Sequence, residues 1–318
     1  MLRDSLRFQK PTNAKPEAAT HNTSNHTPVL QTIRNIILFT LLFGACTVPE
    51  EAANEEEVKV NEVKNRNQIC FNHSLLVLDS STYAAAVNSA FLTQFAFSHE
   101  KRLPGYKGLY LIGATTYLEI FHPKSVAGKE LKAGEFRIFL ASLKANYLKN
   151  LNGQKLNHIV YESDDEYNYL SLMINDSTTP ITTWEMKKEQ YESWTKKEFH
   201  DSMAYLPVDY NSPQESDSSA NYWMKDLVGI GLSLSAPDTS TIISYLKEIG
   251  FDQRSTKQDG LRFSDGDQFF ELHLTNNRTS PTIDRYHIEL NKPMTARTEF
   301  LGRSRIECAS TEAIWYFE

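Results

Sequence analysis

The hydrophobic and polar positions after residue 69 follow a pattern of secondary-structure elements that recurs along the chain. A continuous apolar run at 75–78 predicts a strand buried on both faces, and apolar residues at helical spacing from Thr82 to about Phe97 predict a helix after it. Residues 108–113 and 115–121 then have the composition of two short strands. The pattern predicts a β-α-β-β unit of about fifty residues.

The same order returns in the second half of the chain. A strand is predicted at 227–234, followed by a helix that begins near Asp238 and ends at Gly250. Strands at 261–263 and 268–274 complete the unit, and a further strand is predicted at 286–290. The last residues predict a hairpin around Ser310 and Thr311.

The section between the two units, residues 123–225, has a weaker pattern. Residues 135–140 fit a strand or a helix, whereas 158–161, 167–174 and 181–186 have the composition of strands. This order indicates a further, divergent copy of the same unit.

The closing strands of the two units share a short motif. Both Tyr117–Phe121 and Phe269–His273 have the order aromatic, apolar, glutamate, apolar, and each follows the first strand of its unit by some forty residues. Duplicated units with this motif resemble the glyoxalase, or vicinal oxygen chelate, superfamily. The chain also resembles uncharacterised glyoxalase-like bacterial lipoproteins. The resemblance implies an α+β fold in which repeated β-α-β-β units form a cupped mixed sheet.

The same resemblance implies a candidate metal site. In metal-using members, the first and last strands of each unit supply His or Glu ligands to a divalent ion, and His73, Glu119 and Glu271 match three of those positions. The fourth position falls in residues 229–231, Gly-Ile-Gly, which offer no ligand. The alternative is that His73 hydrogen-bonds within the sheet and that both glutamates face solvent or pair with Lys and Arg.

Several other side chains are candidates for the same region. His273 and His287 lie on predicted strands that can bring them near Glu271. Trp184 and Trp223 either line an apolar cup or pack in the core. The sequence has no glycine-rich phosphate loop, no Gly-x-Ser-x-Gly and no Cys-x-x-Cys, so nucleophilic catalysis has no local support.

The N-terminal residues have the pattern of an exported protein. Residues 1–45 combine a polar extension with Arg34, an apolar run and small residues, which predicts a signal peptide. The run Phe43-Gly44-Ala45-Cys46 resembles the lipobox of bacterial lipoproteins and implies a lipid on Cys46; the alternative is an ordinary signal peptide with a chance cysteine. Residues 46–68 form an acidic tether, which is either a surface-export signal or a solvated linker. The domain itself spans 69–318, with units at about 69–122 and 226–290.

Charge and cysteine content limit the possible partners. The chain has a net charge of −7, and residues 1–45 hold five basic and two acidic side chains, so the mature form carries −10. Such a protein is a poor candidate for nucleic acid. Cys70 and Cys308 either pair or remain buried thiols. We therefore expect a lipid-anchored protein of the bacterial cell envelope that binds a small molecule in its cupped sheet. The alternative is a divalent-metal-dependent lyase, isomerase or dioxygenase.

Overall fold

The computed structural model describes residues 69–103, 106–126, 130–144, 147–148, 158–162, 169–174, 180–186, 192, 219–255, 260–275 and 280–318. All of them belong to one compact unit, Asn65–Glu318. The predicted signal peptide, Cys46 and the acidic tether lie outside the described residues, so those predictions stay predictions. No helix within the described residues is long and apolar enough to span a membrane.

Among the described residues, eight strands and two short helices belong to the first part of the chain. Their bounds are β1 Ile69–Val77, α1 Ser80–Val87, α2 Ala90–Phe95, β2 Phe97–Leu103, β3 Tyr106–Ile112, β4 Tyr117–Val126, β5 Phe136–Ser142, β6 His158–Glu162, β7 Tyr169–Ile174 and β8 Ile181–Met186.

The second part contributes one helix and six strands. Their bounds are β9 Met224–Leu234, α3 Ala236–Glu248, β10 Asp252–Ser255, β11 Gly260–Asp265, β12 Gln268–Leu274, β13 Thr282–Leu301 and β14 Ser304–Phe317.

The strands form two mixed sheets with a shared connectivity. The first sheet has the order β2-β3-β4-β1-β5-β8-β7-β6, and the second has the order β10-β11-β12-β9-β13-β14. In each of three units the first strand pairs in parallel with the last, as β1 with β4, β5 with β8 and β9 with β12. The remaining two strands of each unit continue outward as an antiparallel meander.

This connectivity confirms the predicted α+β fold of repeated units, with one more strand than expected in units one and three. Units one and three are β-α-β-β-β, because β2 and β10 follow their helices as edge strands. The middle section repeats the same strand pairing and completes the first sheet. In the second sheet, β13 pairs with β9 as β5 pairs with β1, and the long β13–β14 hairpin takes the place of a fourth unit.

Local capping explains why the predicted single helix is two helices. Asp79 accepts hydrogen bonds from the backbone of Ser81 and Thr82 and so begins α1. Asn88 ends α1, and the Ser89 hydroxyl accepts from the Leu92 backbone N–H to begin α2. The polar pair between the helices therefore caps both of them, which breaks the run expected from 82 to 97.

The hydrophobic core lies between the inner faces of the sheets and the helices. The largest fully buried side chains are Trp315, Tyr83, Tyr286, Phe71, Phe95, Phe251, Phe263, Phe270, Ile69 and Leu76. Phe71 of β1 packs edge-on against Phe270 of β12, with ring centroids 5.0 Å apart. The two sheets therefore share one core rather than forming independent domains.

A buried polar junction joins β9 to the turn before β4. Asp226 accepts hydrogen bonds from the backbone N–H groups of Thr115 and Thr116, at 2.7 and 2.9 Å. The Thr116 hydroxyl donates to Asp226 and accepts from the Leu227 backbone N–H at 2.7 Å. Burial raises the pKa of Asp226, and these hydrogen bonds oppose that rise. The junction fixes the third unit to the first.

The far end of the β13–β14 hairpin rests on the first unit. The Arg303 backbone N–H donates to the Thr82 hydroxyl at 3.0 Å. Gly302 has φ of +62°, and a Cβ built there would lie 2.6 Å from Thr82 Cα. This contact therefore requires glycine at the turn, for its backbone conformation as well as for space.

The C-terminal hairpin and the cysteines differ from some expectations. The hairpin expected at Ser310 is wrong: β14 runs without a break from Ser304 to Phe317, and the chain reverses at Gly302 instead. Cys70 and Cys308 are buried thiols that do not pair with each other. The Cys70 thiol lies 3.6 Å from the Ala141 carbonyl oxygen.

Candidate functional site

Strand register places two contrasting sets of side chains on the faces of the first sheet. One face belongs to the aliphatic core. The other, which we call the aromatic face, carries His73, Tyr117, Phe139, Trp184, Tyr106, Tyr110 and Glu119. His73 is 7% exposed and Leu75, Val77 and Phe121 of the same face are also buried, whereas the other aromatic side chains and Glu119 are partly buried. Such a surface offers apolar rings that are not fully enclosed in the core.

His73 lies at the centre of a stack of rings that crosses three strands. Its imidazole is nearly parallel to the rings of Tyr117 and Phe139, with centroids 4.5 and 4.1 Å away. Trp184 packs edge-on at 6.0 Å. We call these four residues the ring ladder. Cross-strand stacking of this kind is a stabilising feature of sheets, and it leaves ring edges towards solvent.

An irregularity in β1 orients the His73 ring. The register of β1 against β5 shifts between Phe71 and His73, so the intervening Asn72 is a bulged residue. Phe71 turns to the core while His73 turns to the aromatic face. The Asn72 Oδ1 lies 2.7 Å from His73 Nδ1, which fits a protonated Nδ1 donating to the amide oxygen. Burial lowers the pKa of His73 to about 3, so the imidazole is neutral at physiological pH.

Glu119 lies on the same face, beside two tyrosines. It is opposite Tyr110 on β3, and the Tyr110 hydroxyl hydrogen-bonds to Glu119 and to the Tyr106 hydroxyl. Burial raises the pKa of Glu119 to about 7, against the opposing effects of Lys101 and the Tyr110 hydrogen bond. A carboxyl group with this pKa exists in both protonation states near neutral pH.

Glu271, the third predicted metal ligand, lies in the second sheet with different partners. Its Oε2 is 3.2 Å from His287 Nε2, and His287 Nδ1 is 3.0 Å from Glu312 Oε1. Arg285 and Arg262 are 3.8 and 3.7 Å from the Glu271 carboxylate. The hydrogen bond from His287, followed by the charges of both arginines, lowers the pKa of Glu271.

The glycines of β9 leave space for this cluster. A Cβ at Gly231 would lie 2.7 Å from Arg285 Cγ, and a Cβ at Gly229 would overlap the Phe269 ring. The Arg262 guanidinium lies 3.5 Å from the centroid of that ring. Gly229 and Gly231, which offer no ligand at the fourth predicted position, thus leave room for charged and aromatic side chains over the centre of the second sheet.

The three predicted ligands do not form one donor set. His73 is opposite Tyr117, and Glu119 is opposite Leu75. His73 and Glu119 therefore lie on the same face of the sheet as diagonal neighbours on adjacent strands. Neither is among the described partners of Glu271, which the arginines already neutralise. In the described part of the chain, no group of three His, Cys, Asp or Glu side chains is placed to hold a metal ion. Metal binding therefore stays a prediction that rests on the family resemblance.

Two other sequence expectations concern neighbouring residues. The expected approach of His287 and His273 to Glu271 is confirmed, at 3.2 and 4.0 Å. Trp184 lies in the ring ladder, whereas Trp223 lies elsewhere, with the Lys292 ammonium 4.5 Å from its ring centroid. Tyr106, Tyr110 and Phe139 were not candidates from sequence. The sequence pattern that could have identified them is their alternating positions along β3 and β5.

The repeated strand connectivity of the two mixed sheets is that of a glyoxalase-like α+β fold. More particularly, the chain belongs to a family of unknown function, DUF5829, whose model matches residues 71–317. None of the curated proteins compared with the chain matches it significantly.

Several solved structures are similar to the chain at low identity. One is a hypothetical protein from Staphylococcus aureus, at 12% identity and a TM-score of 0.44, with 73% of this chain and 95% of that chain covered. Another is BphC, a halotolerant catechol dioxygenase, at 8% identity and a TM-score of 0.39, with 78% and 89% covered. A third is an extradiol ring-cleaving dioxygenase from B. fuscum, at 12% identity and a TM-score of 0.36, with 66% and 55% covered.

Proposed function

We propose that the protein binds a small, ring-bearing molecule on the aromatic face of its first sheet. The observation that carries this proposal is the ring ladder, in which Tyr117, His73 and Phe139 stack in a row with Trp184 at their edge. The aromatic rings of the core, such as Phe71 and Phe270, are fully enclosed, whereas Tyr117, Phe139 and Trp184 of the ladder are only partly buried. Partly buried rings beside a polar group are typical of ligand sites.

Glu119 supplies the polar group of the site. The Glu119 residue is partly buried and lies beside Tyr110, so a ligand that stacks along the ladder meets a polar group at one end. The neutral His73 supports the rings on either side of it rather than adding charge. The arrangement therefore suits a planar apolar body with one polar substituent.

Tryptophan fluorescence of the full-length protein tests the proposal. We expect ring-bearing compounds from a chemically diverse panel to quench the emission, and Trp184→Phe to remove most of that change. Trp223→Phe, outside the ladder, is the matched control and should retain it. Binding that leaves Trp184 unaffected while changing the signal of Trp223 would place the ligand elsewhere and contradict the proposal.

The alternative function is that of a divalent-metal-dependent enzyme of the vicinal oxygen chelate type. Its support is that the neutral imidazole of His73 and the carboxyl of Glu119 lie on one face of the sheet. The test is the metal content of the full-length protein purified without chelator, beside His73→Ala and Glu119→Ala. Stoichiometric metal that both variants lose would support this function. A folded parent that takes up no divalent ion on reconstitution would exclude it.

We also propose that Cys46 carries a lipid that anchors the protein in the bacterial cell envelope. The support is the sequence, in which an apolar run and the small pair Gly44-Ala45 precede the cysteine and an acidic tether follows it. Incorporation of a labelled fatty acid in bacterial cells that express the chain tests the proposal. Label that persists in Cys46→Ser would contradict it.

A further inference from the structure

Two tyrosines and Glu119 form a distinct corner at one end of the aromatic face. We call Tyr106, Tyr110 and Glu119 the tyrosine corner. The Tyr110 ring is 6.3 Å from the Tyr117 ring, which joins the corner to the ring ladder. All three corner side chains are partly exposed, and the Tyr110 hydroxyl bonds both of the other two. A ligand on the ladder therefore meets ring faces and a carboxyl at this end.

The protein's own Lys101 already approaches this corner. Its ammonium lies 5.9 Å from the Tyr106 ring centroid, and its charge acts on Glu119. Lys101 is exposed on the edge strand β2, opposite Gly108, and the Phe121 ring of β4 fills the space above that glycine. An exposed lysine on an edge strand loses little by moving away. The position of Lys101 thus shows that the tyrosine corner accommodates a cation. A ligand can displace the lysine side chain from it.

We propose that the tyrosine corner selects an organic cation, an amine or quaternary ammonium group attached to the ring-bearing body that stacks on the ladder. This inference rests on the proposed function and names its ligand class. Tyrosine ring faces and a carboxylate both attract a cation, and the attraction grows where water is partly excluded. Lys101 acts as an intramolecular competitor that the ligand displaces.

Charges elsewhere on the molecule agree with a cationic ligand. The chain carries a net charge of −7, which attracts cations at long range. Arg137 of β5 lies in the same cross-strand row as Glu119, but Leu75 of β1 stands between them. The equivalent carboxylate of the third unit, Glu271, already has Arg262 and Arg285 beside it. Among the contacts described for these two matching glutamates, Glu119 has one lysine beside it where Glu271 has two arginines.

Three probes that share one ring separate charge from ring stacking. Isothermal titration of the full-length protein would compare benzyltrimethylammonium, benzyl alcohol and benzoate. We expect the cation to bind about tenfold more tightly than the alcohol, and benzoate to bind most weakly. Glu119→Gln should remove most of the preference for the cation. Lys101→Ala should tighten cation binding severalfold, and Lys247→Ala, on the exposed side of α3, should leave it unchanged.

The outcomes distinguish this inference from the proposed function. Equal binding of the cation and the alcohol, with Trp184 quenched by both, would overturn the cation preference and leave ring binding on the aromatic face intact. Cation binding that Glu119→Gln and Lys101→Ala both leave unchanged would overturn the assignment to the tyrosine corner. Failure of the wider panel to quench Trp184 would remove the proposed function and this inference together.

Discussion

The buried His73 predicts a specific loss of stability in acid. Burial lowers its pKa in the folded protein to about 3, against an ordinary value of 6.5. The unfolded chain therefore binds a proton that the folded protein excludes. This contribution to stability is fully present above about pH 6.5 and is lost as the pH falls towards 3.

The size of the effect follows from the two pKa values. Complete protonation corresponds to about 5 kcal/mol, at 1.36 kcal/mol for each pH unit between the two values. At about pH 5 most of the unfolded chain is protonated at this site and the folded protein is not, so the loss is about 2 kcal/mol. The aromatic partners Tyr117, Phe139 and Trp184 carry no charge in this range, so none of them forms an ion pair with an imidazolium.

Urea unfolding at about pH 7.5 and about pH 5 measures this loss, and His73→Phe isolates it. Phenylalanine keeps a ring between Tyr117 and Phe139 and does not titrate. We expect acidification to destabilise the parent by about 2 kcal/mol more than this variant. His99→Phe, at an exposed position next to Tyr110, is the control and should follow the parent. Equal losses in the parent and His73→Phe would refute the argument.

Three further predictions concern packing and the polar junction, and denaturant unfolding measures each. Gly231→Ala should lower the free energy of unfolding by about 1–3 kcal/mol because its Cβ would meet a β13 side chain. Gly260→Ala, where there is room for a methyl group, should lower it less, and equal losses would contradict this. Thr116→Val should cost about 2 kcal/mol because Asp226 and a backbone N–H lose the hydroxyl, and Thr116→Ser should restore most of it. Trp315→Ala should cost about 3–5 kcal/mol, and a loss below about 1 kcal/mol would contradict its place in the core.

The sequence predicted the strands of the sheet interiors and the edge strand β6 but missed the edge strands β2 and β10. β1 is buried throughout and ends in the apolar run 75–77, so its composition indicates a strand. β2 reads Phe-Ser-His-Glu-Lys-Arg-Leu and β10 reads Asp-Gln-Arg-Ser, and both are largely exposed. An edge strand has one neighbour and little apolar surface to bury, so hydrophobic alternation does not reveal it.

The sequence correctly indicated an irregular backbone at Ser310, but the chain reversal predicted there was wrong. That residue has φ of +55°, a conformation that favours a turn. In the folded protein the irregularity falls within β14, which continues to pair with β13 on either side. Whether such a residue reverses the chain depends on the partner strand, which local sequence does not specify.

The candidate site was partly predictable for a similar reason. The predicted metal site required His73 and Glu119 to share a face, which the strand register shows, and the proximity of His287 to Glu271 was anticipated. The bulge at Asn72, which turns the His73 ring towards Tyr117 and Phe139, depends on the pairing of β1 with β5. Ring stacking and ion pairing are tertiary contacts, so the assignment of these side chains to separate clusters needed the structure.

The position of the β13–β14 hairpin has a consequence for the order in which the chain is made. Thr82 in the first unit receives its backbone hydrogen bond from Arg303, some 221 residues later. When the first sheet has emerged from the ribosome, the turn that covers the start of α1 has not yet been synthesised. The newly made first unit therefore has exposed apolar surface until translation is almost complete, and a chain that stops short of Gly302 would keep that surface open to chaperones and proteases.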